Sequence, residues 1–381
     1  MTTTLRPPAK GWCPGAYRPM ESGDGLILRV RPVLARLTAE QAYGLCDAAR
    51  TYGSGIIDLT SRANLQIRGV RTDTHGPLLE RLGALGLLDA DPALESRRNI
   101  LVDPFWQTGD DTALIAAALA ARLAELPPLP AKFGFAVDAG DARRLAAASA
   151  DIRVERGASG GLILRADGAP LGRPVAVEGA VDAVIALARW FVDSGGAAAG
   201  RMARHLAGTA LPDAFAGTEA PAAEAPPVAP GVTSLGLAVG VPFGQIEAAA
   251  FADLLRASGA AALRTTAVRV LILEGGALVA ADGFVTGADD PRLRVEACAG
   301  VPFCPSATVA TRDLALRLAA RAPGRLHVSG CAKGCAHAGA APLTLVGRDG
   351  RFDLVRDGRA WDMPLETGLD PDTLATRFGA A

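Results

Sequence analysis

Two segments of the chain share one order of hydrophobic and polar positions. Each begins with an apolar strand, continues with apolar residues at helical spacing, and passes through a glycine to a second apolar strand. These segments are residues 25–70 and 234–276. One constant shift superimposes Gly53 on Gly259 and Thr60 on Thr266. The repetition predicts an internal duplication, with chance similarity between alanine-rich segments as the alternative.

Each repeat continues into a second unit that is rich in both strands and helices. After the first repeat the pattern predicts a strand over 132–140, a hairpin over 151–172 and a helix over 181–195. After the second it predicts a strand over 325–330 and a hairpin over 342–358, which contains two Asp-Gly turns. The expected fold is therefore α+β, with four lobes in two pseudo-equivalent pairs and ligands in the seam between them.

Length, charge and hydropathy exclude several classes of protein. A chain of 381 residues is too long for one small module, and a net charge of -1 does not suit a nucleic-acid binder. No run of about 18 apolar residues predicts a membrane span, and residues 1–12 lack a signal-peptide core. A cytoplasmic protein is expected. Three of the 39 basic residues are lysine and the rest arginine, which reflects either genomic composition or a polyanionic ligand.

Four of the six cysteines fall close together near the end of the chain. Their spacing is Cys298-x5-Cys304 followed by Cys331-x3-Cys335. Four thiolates can hold a 4Fe-4S cluster, which accepts irregular loop spacings because each iron takes one protein sulfur. Zinc knuckles use tighter pairs, so a zinc site or free buried thiols are the weaker alternatives.

The cysteine segments 297–307 and 329–337 resemble the cluster-binding signature of the nitrite/sulfite reductase superfamily. Residues 11–32 and 330–337 are similar to the branch that oxygenates precorrin-3A in aerobic cobalamin biosynthesis. The resemblance implies ferredoxin-like half-domains at 8–95 and 232–290, and cluster- or tetrapyrrole-binding-type lobes at 96–205 and 291–381. The first of these lobes lacks the cysteines. An Ala/Pro-rich linker over 206–231 joins the two halves.

The same resemblance implies residues that bind a tetrapyrrole. By their position in the matching strings these are Arg29, Arg31, Arg62, Gln66, Arg98, Asn99 and Lys132. A solvated surface charge is the alternative for each arginine. The reductases carry a Lys-x-Lys pair that can hold a small anion and supply protons, whereas this chain reads Lys132-Phe133-Gly134. Gly134 disfavours sulfite or nitrite reduction, and we expect it to leave room for a larger ligand.

The function implied is an O2-dependent monooxygenation of precorrin-3A, with closure of a γ-lactone. Lys132 and His337 are the candidate catalytic residues, and a mononuclear non-haem iron is implied beside the cluster. No Gly-x-Gly-x-x-Gly follows a strand, so a ferredoxin or separate reductase is expected to donate electrons. The alternatives are a siroheme-dependent sulfite or nitrite reductase and a non-enzymatic iron–sulfur electron carrier or zinc-stabilised binding module.

Overall fold

The computed structural model of the protein describes residues 6–7, 13–322 and 324–379. Residues 8–12, where the first expected half-domain begins, and 380–381, where the last lobe ends, lie outside the described residues. No helix in the described ranges is long and apolar enough to cross a membrane.

The described residues form strands and helices along the whole chain. The strands before the linker are β1 (Met20–Ser22), β2 (Gly25–Val30), β3 (Arg36–Thr38), β4 (Ile56–Leu59), β5 (Leu65–Val70), β6 (Ile100–Val102), β7 (Phe135–Asp138), β8 (Ile152–Arg156), β9 (Leu162–Ala166) and β10 (Arg173–Pro174). Those after it are β11 (Gly231–Thr233), β12 (Gly236–Gly240), β13 (Gln245–Glu247), β14 (Ala262–Thr265), β15 (Val270–Glu274), β16 (Val295–Ala297), β17 (Leu326–Ser329), β18 (Ala341–Arg348), β19 (Arg351–Gly358) and β20 (Glu366–Leu369). The helices are α1 (Ala39–Tyr52), α2 (Thr72–Ala84), α3 (Pro92–Glu95), α4 (Asp111–Ala121), α5 (Val177–Asp193), α6 (Gly196–Ala199), α7 (Met202–Leu206), α8 (Ala248–Ser258), α9 (Arg312–Ala319) and α10 (Pro371–Gly379).

The two repeats exchange edge strands. Their sheets have the orders β1-β2-β5-β4-β13 and β11-β12-β15-β14-β3, so each five-stranded sheet ends in a strand from the other repeat. Both exchanged strands pair antiparallel with their new neighbours. One hydrophobic core runs through both sheets and includes Leu45 of α1 and Phe251 of α8. The repeats therefore share a core and form one body.

Backbone conformation confirms the duplication. Leu34 and Phe243 precede β3 and β13, and both have left-handed φ values, 51° and 58°. Ala63 and Arg269 are separated by the same number of residues as Gly53 and Gly259, and both also have left-handed φ values. Left-handed backbone is uncommon for residues with a side chain, so two matched pairs indicate one inherited fold.

The other two sheets also share one topology. Their orders are β10-β9-β8-β7-β6 and β16-β17-β18-β19-β20. In each, three strands run parallel and the rest form antiparallel pairs, with the predicted hairpins appearing as β8–β9 and β18–β19. We call the sheet that contains β6 lobe 1 and the sheet that contains β16 lobe 2. The α+β architecture of four paired lobes is confirmed.

The Ala/Pro-rich linker lies against lobe 1. The Glu219 carboxylate accepts hydrogen bonds from the backbone N–H and the hydroxyl of Ser159, at 2.8 and 2.6 Å. Isolated β-bridges between backbone groups pair Glu219 with Gly172 and Glu224 with Arg143. This attachment brings the end of the linker to the seam between the lobes.

Candidate functional site

A cavity of about 1380 Å³ lies in the seam between the four lobes. Each sheet and the linker contribute to its wall, with Arg29 and Asp58 from the first repeat, Lys132 from lobe 1, and residues 227–230 from the linker. Such a volume exceeds the range usual for drug-sized ligands and suits a larger molecule. A smaller depression of about 530 Å³ on the outer side of α1 contains none of the expected site residues.

The four clustered cysteines converge at one side of this cavity. Cys298 directly follows β16, Cys304 lies in the next loop, and Cys331 and Cys335 follow β17. The backbone N–H of Gly330 donates to the Cys298 sulfur at 3.1 Å. Burial raises the pKa of Cys298 and Cys335, and the charges of the neighbouring cysteine sulfurs raise both further. Cys298 and Cys335 line the cavity.

The loops around these sulfurs contain several glycines. Gly300 and Gly334 have left-handed φ values, and a Cβ at Gly330 would lie 2.6 Å from the Cβ of Ala307. In the described ranges, no three His, Cys, Asp or Glu side chains approach closely enough to hold one metal ion. Sulfur ligands of a tetrahedral zinc lie about 4 Å apart, whereas a cubane holds its thiolates farther apart. The four cysteines supply the donor type and number that a four-iron cluster takes, one thiolate for each iron.

The equivalent position in lobe 1 holds an ion pair. Asp103 follows β6 as Cys298 follows β16, and each donates its backbone N–H to a carbonyl of the neighbouring strand, Val137 or Val328. The Asp103 carboxylate is buried and lies 3.1 Å from Arg144. Lobe 1 thus shares the fold of lobe 2 and has a salt bridge where lobe 2 has a cysteine.

Arg29 and Gln66 stand side by side on β2 and β5, and both line the cavity. Arg29 is only 6% exposed, and its Nε and Nη1 are buried without a hydrogen-bond partner. Burial lowers the pKa of Arg29, while the adjacent Cys13 acts in the opposite direction. Unsatisfied buried donors are costly, so Arg29 is a candidate for binding a ligand group in this cavity.

Arg62 takes the space beside Gly134. Its Nη2 donates to the carbonyl of Lys132 at 2.7 Å, and its Nη1 lies 3.3 Å from where a Cβ at Gly134 would stand. Gly134 is buried and does not line the cavity. The expectation that Gly134 leaves room for a ligand is therefore wrong, because a Cβ there would lie 3.2 Å from the Asn99 carbonyl oxygen and 3.3 Å from the Arg62 guanidinium.

Three other expected tetrapyrrole contacts lie in internal pairs away from the cavity wall. Arg31 forms a buried ion pair with Glu95. Arg98 makes two hydrogen bonds of 2.9 Å to Asp89. The Asn99 amide donates to the carbonyl of Phe133 at 3.1 Å. Arg31 Nε and Asn99 Oδ1 are buried without a hydrogen-bond partner, but none of the three residues lines the cavity, so their contact with a ligand stays a prediction.

The two candidate catalytic residues, Lys132 and His337, both line the cavity. The His337 ring packs edge-on against His327, with 5.8 Å between ring centroids. His327 is fully buried with both ring nitrogens unpartnered, and burial lowers its pKa to about 4. His327 is therefore neutral at ordinary pH and supports the His337 ring.

The sequence did not single out one charged group of the cavity wall. Arg312, the first residue of α9, lines the cavity, and its Nη2 lies 3.7 Å from Oδ1 of Asp58. Asp58 in turn accepts from Arg68 at 2.9 Å, and Arg68 makes two further bonds to Asp24. Nothing in the sequence distinguishes Arg312 from the other arginines, because its partner belongs to the other half of the chain.

The fold has known counterparts. Residues 18–85 match the Nitrite/Sulfite reductase ferredoxin-like half domain. The structure of the Mycobacterium tuberculosis NirA protein superimposes with a TM-score of 0.67 at 17% identity, covering 92% of this chain and 79% of that one. With the duplicated architecture and the cysteine site, these matches define a protein of the nitrite/sulfite reductase fold class.

Two curated relatives refine this assignment. A ferredoxin--nitrite reductase of Synechococcus elongatus is 30% identical over 141 residues, which cover 34% of this chain and 27% of that protein. A precorrin-3B synthase of Sinorhizobium sp is 32% identical over 395 residues, covering 93% of this chain and 84% of that protein. The chain belongs to the precorrin-3B synthase family, as its opening and cysteine segments predict.

Proposed function

We propose that the protein is an oxidoreductase that uses O2 to hydroxylate precorrin-3A and closes a γ-lactone on the product. The observation that carries this proposal is the similarity to a precorrin-3B synthase along 93% of the chain. The large seam cavity supports it, since a reduced tetrapyrrole is a broad, flat ligand with several carboxylates. Buried arginine donors suit carboxylates through charge-assisted hydrogen bonds.

Cys298, Cys304, Cys331 and Cys335 would hold a 4Fe-4S cluster. Two of them, Cys298 and Cys335, line the cavity, so such a cluster would lie beside the ligand. When bound, such a cluster supplies single electrons, which O2 requires because it reacts poorly with closed-shell organic molecules. A mononuclear iron is not assigned, because no set of two histidines and a carboxylate stands together within the described residues. Electrons would come from an external ferredoxin or reductase, and the protein would act in the cytoplasm.

The side chains of the cavity have separable roles in this proposal. Arg29, with Gln66 beside it, would hold a carboxylate of the macrocycle, and Arg62 would fix the Lys132 backbone. Hydroxylation inserts one oxygen atom and reduces the other to water with two electrons and two protons. Lys132 and His337 line the cavity and would hold those protons next to the reacting carbon.

The direct test is single-turnover oxygenation. Protein purified without oxygen is reduced, mixed with precorrin-3A and exposed to labelled O2, and the product is analysed by mass spectrometry. One labelled oxygen in a lactone product is expected, and none is expected from a Cys335→Ser control. A lactone whose added oxygen carries no label would defeat the proposal.

The fold shared with NirA favours a siroheme-dependent sulfite or nitrite reductase as the second candidate. Gly134 and the short partial match to the nitrite reductase count against it. An absorption spectrum separates the two. Siroheme bands together with sulfite or nitrite reduction by reduced viologen would support the reductase and reject the oxygenase.

A further inference from the structure

Arg312 lines the cavity without a strong partner of its own. Its side chain is 13% exposed, and its Nε and Nη1 are buried with no hydrogen-bond partner. The ion pair with Asp58, at 3.7 Å, is longer than a hydrogen bond. Asp58 is already bonded to Arg68, and its Oδ1 also lacks a hydrogen-bond partner. Three polar atoms are thus left unsatisfied at one point on the wall.

Other buried arginines are more fully paired within the protein, and the structural Arg31 leaves only its Nε without a partner. Arg68 bonds to Asp24, Asp58 and Ser22. Arg264 bonds to Glu274 and to the carbonyls of Pro104 and Trp106. Their guanidinium groups are saturated by the protein, as a buried charge requires. Among the described cavity residues, Arg29 resembles Arg312 in having unpartnered Nε and Nη1.

We infer that Arg312 binds a carboxylate of the ligand from the lobe 2 side of the cavity, as the counterpart of Arg29 on the first repeat. This inference rests on the proposed function, because it takes the ligand to be a tetrapyrrole with several acidic side chains. A guanidinium presents a planar fork that a carboxylate can fill with two parallel hydrogen bonds. Asp58 is a positioning residue, since it holds Arg312 by charge without occupying the fork.

Binding of precorrin-3A without oxygen tests this inference apart from turnover. The dissociation constant is measured anaerobically for the wild type, Arg312→Gln and Arg312→Lys. We expect a rise of about 10- to 100-fold for Arg312→Gln, because a charge-assisted bidentate contact is lost. For Arg312→Lys we expect a rise of about 3- to 10-fold, because the charge stays and the fork is lost. Arg317→Gln is the matched control, since Arg317 lies on the same helix and pairs with Asp372 at the surface.

Two further readouts separate the outcomes. Circular dichroism and iron–sulfur absorbance report folding and cluster content in every variant, and Arg312→Lys retains the charge if Arg312→Gln folds poorly. Wild-type affinity in Arg312→Gln would overturn the inference and leave the proposed function standing, as would an unchanged affinity with a shifted cluster reduction potential. Failure of the wild type to bind precorrin-3A would overturn both.

Discussion

The ion pair between Arg31 and Glu95 distinguishes a structural arginine from a ligand-binding one. The two side chains are 5% and 7% exposed, and Glu95 also accepts the backbone N–H of Ala16 at 2.7 Å. Changing Glu95→Gln keeps the shape and removes the negative charge, which leaves the Arg31 cation buried without compensation. We expect a loss of about 3–5 kcal/mol in the free energy of unfolding.

Urea denaturation followed by circular dichroism measures this loss. Arg31→Met combined with Glu95→Gln should recover most of it, because no unpaired charge remains buried. Asp89→Asn is the matched control. Arg98 and Asp89 are 12% and 21% exposed, so water compensates part of the broken pair and we expect a loss of about 1 kcal/mol. Wild-type stability in Glu95→Gln, together with a large loss of precorrin-3A affinity in Arg31→Met, would refute the structural role of Arg31.

Three further predictions concern the cluster, the glycine next to Arg62 and a buried histidine. Cys331→Ser or Cys335→Ser should abolish iron–sulfur absorbance and oxygenation together, and full absorbance in both variants would show that the ligands are misassigned. Gly134→Ala should crowd the Asn99 carbonyl oxygen and Arg62 and cost about 1–3 kcal/mol of unfolding free energy, against no change if that space were open. The pKa of His327 is about 4 in the folded protein and about 6.5 in the unfolded chain. The neutral His327 ring therefore contributes to the free energy of unfolding above pH 6.5, and this contribution is lost as the pH falls towards 4. Over that pH range the free energy of unfolding of the wild type, measured by urea denaturation, should fall by about 3 kcal/mol more than that of His327→Leu. Equal losses in the two proteins would show that His327 is not buried in its neutral form.

Local features of the sequence predicted much of the fold. The alternating patterns and Asp-Gly turns predicted β8–β9 and β18–β19, because hairpins are set by contacts between near neighbours in the chain. The repeated order of strands and helix predicted the duplication, which the paired left-handed residues confirm. The cysteine spacing predicted one shared site. The four cysteines lie near one another because they follow β16 and β17, two adjacent strands of one sheet.

Exchange of β3 and β13 could not be predicted in this way. Each exchanged strand has the same pattern whether it pairs with its own repeat or with the other. The choice depends on the shared core, in which α1 and α8 pack together, and therefore on contacts between distant parts of the chain.

The α+β class, the duplication, the family and the four cysteines could be predicted from the sequence, since each depends on a local pattern or a contiguous motif. Which arginines line the cavity could be found only from tertiary contacts. Arg31 and Arg98 meet carboxylates inside the first half, whereas Arg29 and Arg312 retain unpartnered donors at the cavity. An arginine's role follows from its burial and from the nearest opposite charge, and both are set by residues far away in the chain.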